Sequence, residues 1–212
     1  METAYFDTRG VPTKGPEGAA VVGFVRDPYG RAAETHFFDG SNTPSPSKEG
    51  YVVMRSKFDD RGRIVNQHFV DAAGLPRAAL DGCSGRHTTY DALGRKLEES
   101  CLDAKGAPTL SSEGWAIRRT LHDAHGNDVE VSTHAPDGTL HVDSDGIARK
   151  RSRFDGRNLL QETTFFDAAD KPTHDKRGAY TVRFTYNDAG KKTAETAVDG
   201  RGQPVVTTGA PK

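Results

Sequence analysis

Two cysteines in 212 residues are too few for a disulfide framework. Charge of one sign is missing too. Lys and Arg number 29 against 30 Asp and Glu, so the formal net charge is −1 and no global field recruits nucleic acid or an anionic membrane. No apolar run approaches the ~18 residues that span a bilayer. The eight histidines form no HExxH and no pair at zinc spacing. The Asp-rich turns match neither an EF-hand loop nor the glycine-rich nonapeptide of calcium β-rolls, and read instead as turn caps. No GxSxG is present. These absences argue against an enzyme, a metal site and a cofactor. The start, METAYFDTRG, lacks a basic-then-apolar signal and reads as the interior of a longer protein. A hydrophobic fraction of 34%, with 23 Gly besides, is lean for a globule but too rich for disorder.

What the sequence has is a period. Gly18, Gly50, Gly82, Gly114, Gly146 and Gly178 follow one another at steps of 32 residues, without insertion or deletion. A second glycine column holds Gly30, Gly62, Gly94, Gly126 and Gly190, with Asn158 in the fifth repeat. Asn is the non-glycine residue that best tolerates positive φ, so Asn158 predicts a left-handed requirement there. A third column holds Gly10, Gly74, Gly106, Gly138 and Gly202, with a Pro column two residues on.

The columns read as two turns per repeat, joined by stretches of about eight residues rich in β-branched and aromatic side chains, such as YVVMRSKF and RIVNQHFV. Each repeat is therefore a β-hairpin with a Gly- and Pro-containing return. The expected fold is all-β: tandem 32-residue β-hairpin repeats in one extended or curled antiparallel meander sheet. Strands are expected near 51–58 and 63–70 and at 32-residue intervals, about 13 in all, with no helix longer than two turns. Residues 1–17 read as the end of a preceding repeat, 18–208 as six repeats and 209–212 as a tail.

The segment TTYDALGRKLEES resembles the YD repeat of bacterial Rhs and teneurin-type proteins, and YFDTRG, KFDDRGR and RFDGRN are looser versions. The typical repeat of that family is nearer 20 residues with one turn, against 32 with two here. The resemblance implies a non-catalytic bacterial β-hairpin protein, surface-exposed or secreted, that acts as a container wall or a scaffold.

The strongest candidate for function is a basic stripe. Arg86, Arg118 and Lys150 share a column, and Arg149, Arg151 and Arg153 stand on the opposite face of the strand that carries Lys150. Such a stripe suits an anionic protein or glycan partner of extended shape, or neighbouring domains of the parent chain. Nucleic acid is disfavoured, because no aromatics interleave with the basic run. The bland alternative is compensation by the acidic column Glu34, Glu98, Glu130 and Glu162, which fits a structural wall or shell segment.

Two finer expectations follow. A hairpin register pairing the fifth and sixteenth positions after each opening glycine sets Arg119 opposite Glu130 and Arg151 opposite Glu162, unless a bulge makes these pairs diagonal. Cys83 and Cys101 fall in apolar columns, which favours two buried free thiols over a disulfide. Trp115 shares the Cys83 column and reads as a packing residue.

Overall fold

The computed structural model describes residues 2–205. Its thirteen strands are β1 (Glu2–Ala4), β2 (Val21–Arg26), β3 (Ala32–Phe38), β4 (Val53–Phe58), β5 (Ile64–Val70), β6 (Gly85–Tyr90), β7 (Lys96–Leu102), β8 (Ile117–His122), β9 (Asp128–His134), β10 (Arg149–Phe154), β11 (Leu160–Phe166), β12 (Thr181–Tyr186) and β13 (Lys192–Val198). They are hydrogen-bonded neighbours in chain order, an all-β antiparallel meander. The described residues contain no helix. The chain forms two compact bodies, Met1–Tyr90 with Glu99–Ser112, and Asp91–Glu98 with Glu113–Lys212. The proposed tail, 209–212, lies outside the described residues.

Turn chemistry sets the repeat. At the hairpin tip of the second repeat, Gly62 N–H donates to the Asp59 carbonyl at 3.0 Å, and Gly62 has φ +79°. Asp59 Oδ1 accepts the N–H groups of Arg61 and Arg63, which holds its carboxyl below the ordinary value. The positive-φ column is filled by Asn158 (φ 60°) where glycine is missing, as its tolerance for that region requires. Asn42 and Asp170, also left-handed, fill the two gaps in the third glycine column.

Each repeat has three turns rather than two. The opening glycine itself closes the third, with Gly50 N–H bonded to the Ser47 carbonyl and Gly146 N–H to that of Asp143. The proline return is a short hairpin of its own, bridged at Phe38 with Pro44 and at Val70 with Pro76.

Arginine joins successive tips. Arg31 Nε bonds to Asp27 Oδ2 in its own turn, while Arg31 Nη1 reaches the Asp59 carbonyl of the next turn at 3.2 Å. Arg95 likewise spans from Asp91 to the Asp123 carbonyl. The tyrosine before the first turn residue, Asp91 or Asn187, also reaches back: Tyr90 Oη donates to the Ile64 carbonyl, and Tyr186 Oη to that of Leu160.

The hairpin register differs from the expected one. Arg119 stands opposite Ser132 and Arg151 opposite Thr164, two residues from the expected pairing. Each tip closes one residue later, with Asp123 N–H on the Asn127 carbonyl and Asp155 N–H on that of Leu159, and a bulge beside it adds one more, which leaves Arg119 with Glu130, and Arg151 with Glu162, diagonal. The same two columns pair instead between repeats. Glu34 faces Arg55, Glu130 faces Arg151 and Glu162 faces Arg183 directly, with Nε–Oε distances of 2.9–3.0 Å. Where the columns hold Asn66 and His87, the contact persists as a hydrogen bond of 3.0 Å.

Both sheet faces are covered near the strand ends; Phe69 and Val70, which point to opposite faces, are each 4% exposed. In the first body, Tyr51 stacks on Phe69 at 4.4 Å and meets the edge of Phe37 at 5.8 Å. In the second, Ile147, Phe165, Ala179 and Val182 form one core cluster.

The cysteines correct an expectation. Cys83 and Cys101 form a disulfide with a Cα–Cα distance of 5.2 Å, and the described residues hold no free thiol. The columns that bring Tyr51 against Phe69 one repeat earlier bring these two sulfurs together, so burial and bonding are the same contact.

Candidate functional site

The six basic candidates divide by face and by partner. Strand alternation puts Arg149, Arg151 and Arg153 on one face of β10 and Lys150 on the other. Arg149 is held by Glu130 and Asp170. Arg151 is held by the same two carboxylates and lies over the Phe166 ring at 4.6 Å. Glu130 raises the Arg151 pKa above its ordinary value. Arg153 is exposed opposite Glu162, whose carboxylate bonds to Arg183.

The column of Arg86, Arg118 and Lys150 has acids of its own. They come from the third turn, five residues earlier, and not from the glutamate column on the strands. Asp81 binds Arg86, which also reaches Glu99 at 3.1 Å. Glu113 binds Arg118 at 3.0 Å and accepts the Trp115 Nε1–H at 2.8 Å, while the Arg118 guanidinium lies 4.5 Å from the Trp115 ring. The third acid, Asp145, bonds instead to Lys176 at 2.8 Å, which lowers its pKa. Lys150 therefore has no ion-pair partner among the described residues.

Lys150 and Arg118 line a groove of about 400 Å³ in the second body, with Thr120, Thr133, Val131 and Ile147 as further walls and Asp128 and Asp143 bordering it. Its origin is a packing substitution. Thr133 stands in the column of the buried rings Phe37, Phe69 and Phe165. It fills far less space than a ring, and its hydroxyl donates to the His141 carbonyl at 2.7 Å. The groove thus joins two cations, the Thr120 hydroxyl and an apolar floor, with Asp128 and Asp143 at its border, a set in which Arg118 and Lys150 can hold an anionic group. Of the six candidates it gathers Arg118, Lys150 and the edge of Arg149; Arg86 belongs to the first body, and Arg151 and Arg153 do not line it. The threonines were not among the candidates, though the break at Thr133 in an aromatic column marks the place.

One further pair escaped the sequence. Ser132 Oγ lies 3.0 Å from His134 Nε2, and His134 Nδ1 lies 3.0 Å from the Gly138 carbonyl. Burial, followed by the charge of Arg119, lowers the His134 pKa. The neutral ring then donates from Nδ1 to Gly138 and accepts the Ser132 hydroxyl at Nε2. Both side chains are 6% exposed, and the pair ties down the turn in which Ala135 replaces the usual aspartate. Among the described residues no three His, Cys, Asp or Glu side chains are grouped to hold a metal.

Among solved structures, the chain is similar to a crystal structure of TcdB2-TccC3-TEV, at 13% identity and a TM-score of 0.42, over 84% of this chain and 9% of that one. It is also similar to a structure of the Photorhabdus luminescens Tc holotoxin pore, at 14% identity and a TM-score of 0.36, over 84% of this chain and 10% of that one. The chain thus spans about a tenth of the length of those chains. No family model and no curated protein matches it.

Proposed function

We propose that this chain is a non-catalytic repeat scaffold of a bacterial surface or secreted protein, and that it recognises an extended acidic partner, a protein or a glycan, through the Arg118–Lys150 groove. The observation that carries this reading is Lys150: a cation displaced from its column's acid by Lys176 and set in a groove beside Arg118. Strand repeats suit an extended ligand, because their columns stay in line along the sheet. The YD-like turns support a bacterial origin. The buried Cys83–Cys101 bond supports an oxidising compartment, where such bonds persist. The low exposure of Ser132 and His134 supports a structural rather than catalytic use of that pair.

A second reading, a wall that encloses or spaces other domains, is favoured by the internal neutralisation of Arg149 and Arg151 and by the arginine ties between tips. Binding to polyglutamate and to a heparin-type sulfated glycan separates the two. The scaffold reading expects salt-sensitive binding that Arg118→Glu with Lys150→Glu abolishes and Arg153→Glu leaves intact. Binding that the double variant retains favours the wall.

A further inference from the structure

The turn acids and strand cations that pair in the middle repeats are mismatched at the start of the chain. Glu17, Glu49, Asp81 and Glu113 occupy one column, and five residues after each stand Val22, Met54, Arg86 and Arg118. In the third and fourth repeats the acid binds the cation. In the first and second the cation is replaced by Val22 and Met54, while the acid is kept. Glu17 and Glu49 have no ion-pair partner among the described residues. Their backbone carbonyls serve the turn ladder, accepting from Lys48 and Leu80, so each carboxylate is left over rather than used locally.

A hollow of about 350 Å³ opens in the first body where the cation is missing, lined by Tyr5, Phe24, Phe37, Tyr51, Met54 and Glu17. A second, of about 140 Å³, adjoins the same Tyr51 and Met54 and is bordered by Glu49 and by Arg86, whose guanidinium is held by Asp81 and Glu99. Burial raises the Tyr51 hydroxyl pKa, Glu49 and Glu17 add to the rise, and Arg86 opposes it.

The fourth repeat shows what such a place holds when it is filled. There the guanidinium of Arg118 lies over the Trp115 ring and bonds to Glu113. Tyr51 is the ring in Trp115's column and Glu49 the acid in Glu113's column. We propose that the Tyr51–Met54 cleft, with Glu17 and Glu49, binds an alkylguanidinium group, the end of an arginine side chain presented by a partner. Aromatic faces and a carboxylate are the two features that recognise such a cation, and Met54 supplies a polarizable, adaptable wall. This site is separate from the anion groove and does not depend on it.

Nα-acetyl-arginine amide and its neutral isostere, Nα-acetyl-citrulline amide, test the proposal on the whole chain. The reporter is the methyl resonance of Met54 in protein carrying ¹³C-methyl methionine; Met1 is the other methionine. The arginine compound is expected to shift the Met54 signal saturably and to bind at least about tenfold more tightly than citrulline, the value of one charge-assisted contact. Glu17→Gln with Glu49→Gln should weaken it by a similar factor. Met54→Arg, which supplies the column's own cation, should abolish saturation transfer to the arginine compound. Equal shifts by citrulline, binding undiminished in the double variant, or no shift at all would overturn the assignment.

Discussion

Arg151 lies directly across the β9–β10 ladder from Glu130, with Nε 2.9 Å from Oε2, although 21 residues separate them in the chain. Arg55 with Glu34, Arg119 with Glu98, and Arg183 with Glu162 repeat the contact at the same separation. Each joins the second strand of one repeat to the first strand of the next. The pairs therefore mark the boundary between hairpins, where the turn gives no help with register. Because these side chains are partly exposed, each pair contributes only ~0.2–1 kcal/mol. A double-mutant cycle on Arg151 and Glu130 should return a coupling of about that size, and one on Arg151 and Glu162 a smaller one. Stronger coupling to Glu162 would restore the register expected from the sequence.

Gly62 should accept asparagine but not alanine. Its φ of +79° costs a residue with a Cβ about 1–2 kcal/mol, and a built Cβ meets only Arg31 Cδ at 3.9 Å, so the strain is in the backbone and not in packing. Urea unfolding of Gly62→Ala should show the loss. Gly62→Asn, which copies Asn158, should recover most of it; equal losses in the two variants would contradict the account.

The Cys83–Cys101 bond closes a loop of sequence separation 18, for which removal of the link costs about 3 kcal/mol. Thiol titration of the unfolded, unreduced protein should find no reactive groups, and reduction should lower the unfolding midpoint. Two thiols released on unfolding without reductant would restore the free-thiol reading.

His134 gives the stability a pH dependence. Its pKa is lowered in the folded chain by burial and by Arg119, so the unfolded chain takes up a proton that the folded chain refuses. Stability is full above the unfolded value of about 6.5 and falls as pH drops through that value toward the folded pKa. His134→Leu, which places there the residue that Leu102 supplies one repeat earlier, should flatten the profile just below about pH 6.5. An unchanged slope would mean that other groups carry the dependence.

The strand pattern and the left-handed positions were legible because glycine, asparagine and proline act locally: their backbone demands do not depend on what packs against them. The third turn was missed because Gly50 and its equivalents looked like the start of a hairpin when each closes a turn of its own. The register was missed because each tip closes one residue later than the columns suggest and a bulge adds another that no column reveals. Cys83 and Cys101 were assigned to buried columns correctly, but a column gives burial and not contact; the stacking of Tyr51 on Phe69 shows that these two columns touch. The six basic residues were visible as a stripe. Which of them keeps an unmatched charge depends on Glu113, Asp145 and Lys176, turn residues whose side chains meet the stripe only after folding.

The most direct test of the proposed anion groove is a titration of ¹⁵N-labelled protein with a sulfated heparin-type tetrasaccharide, followed through the backbone amides. The account predicts saturable shifts centred on Arg118, Thr133 and Lys150, absent in Lys150→Glu. Shifts centred on Arg153 and Arg157, or spread evenly over the basic residues, would contradict it.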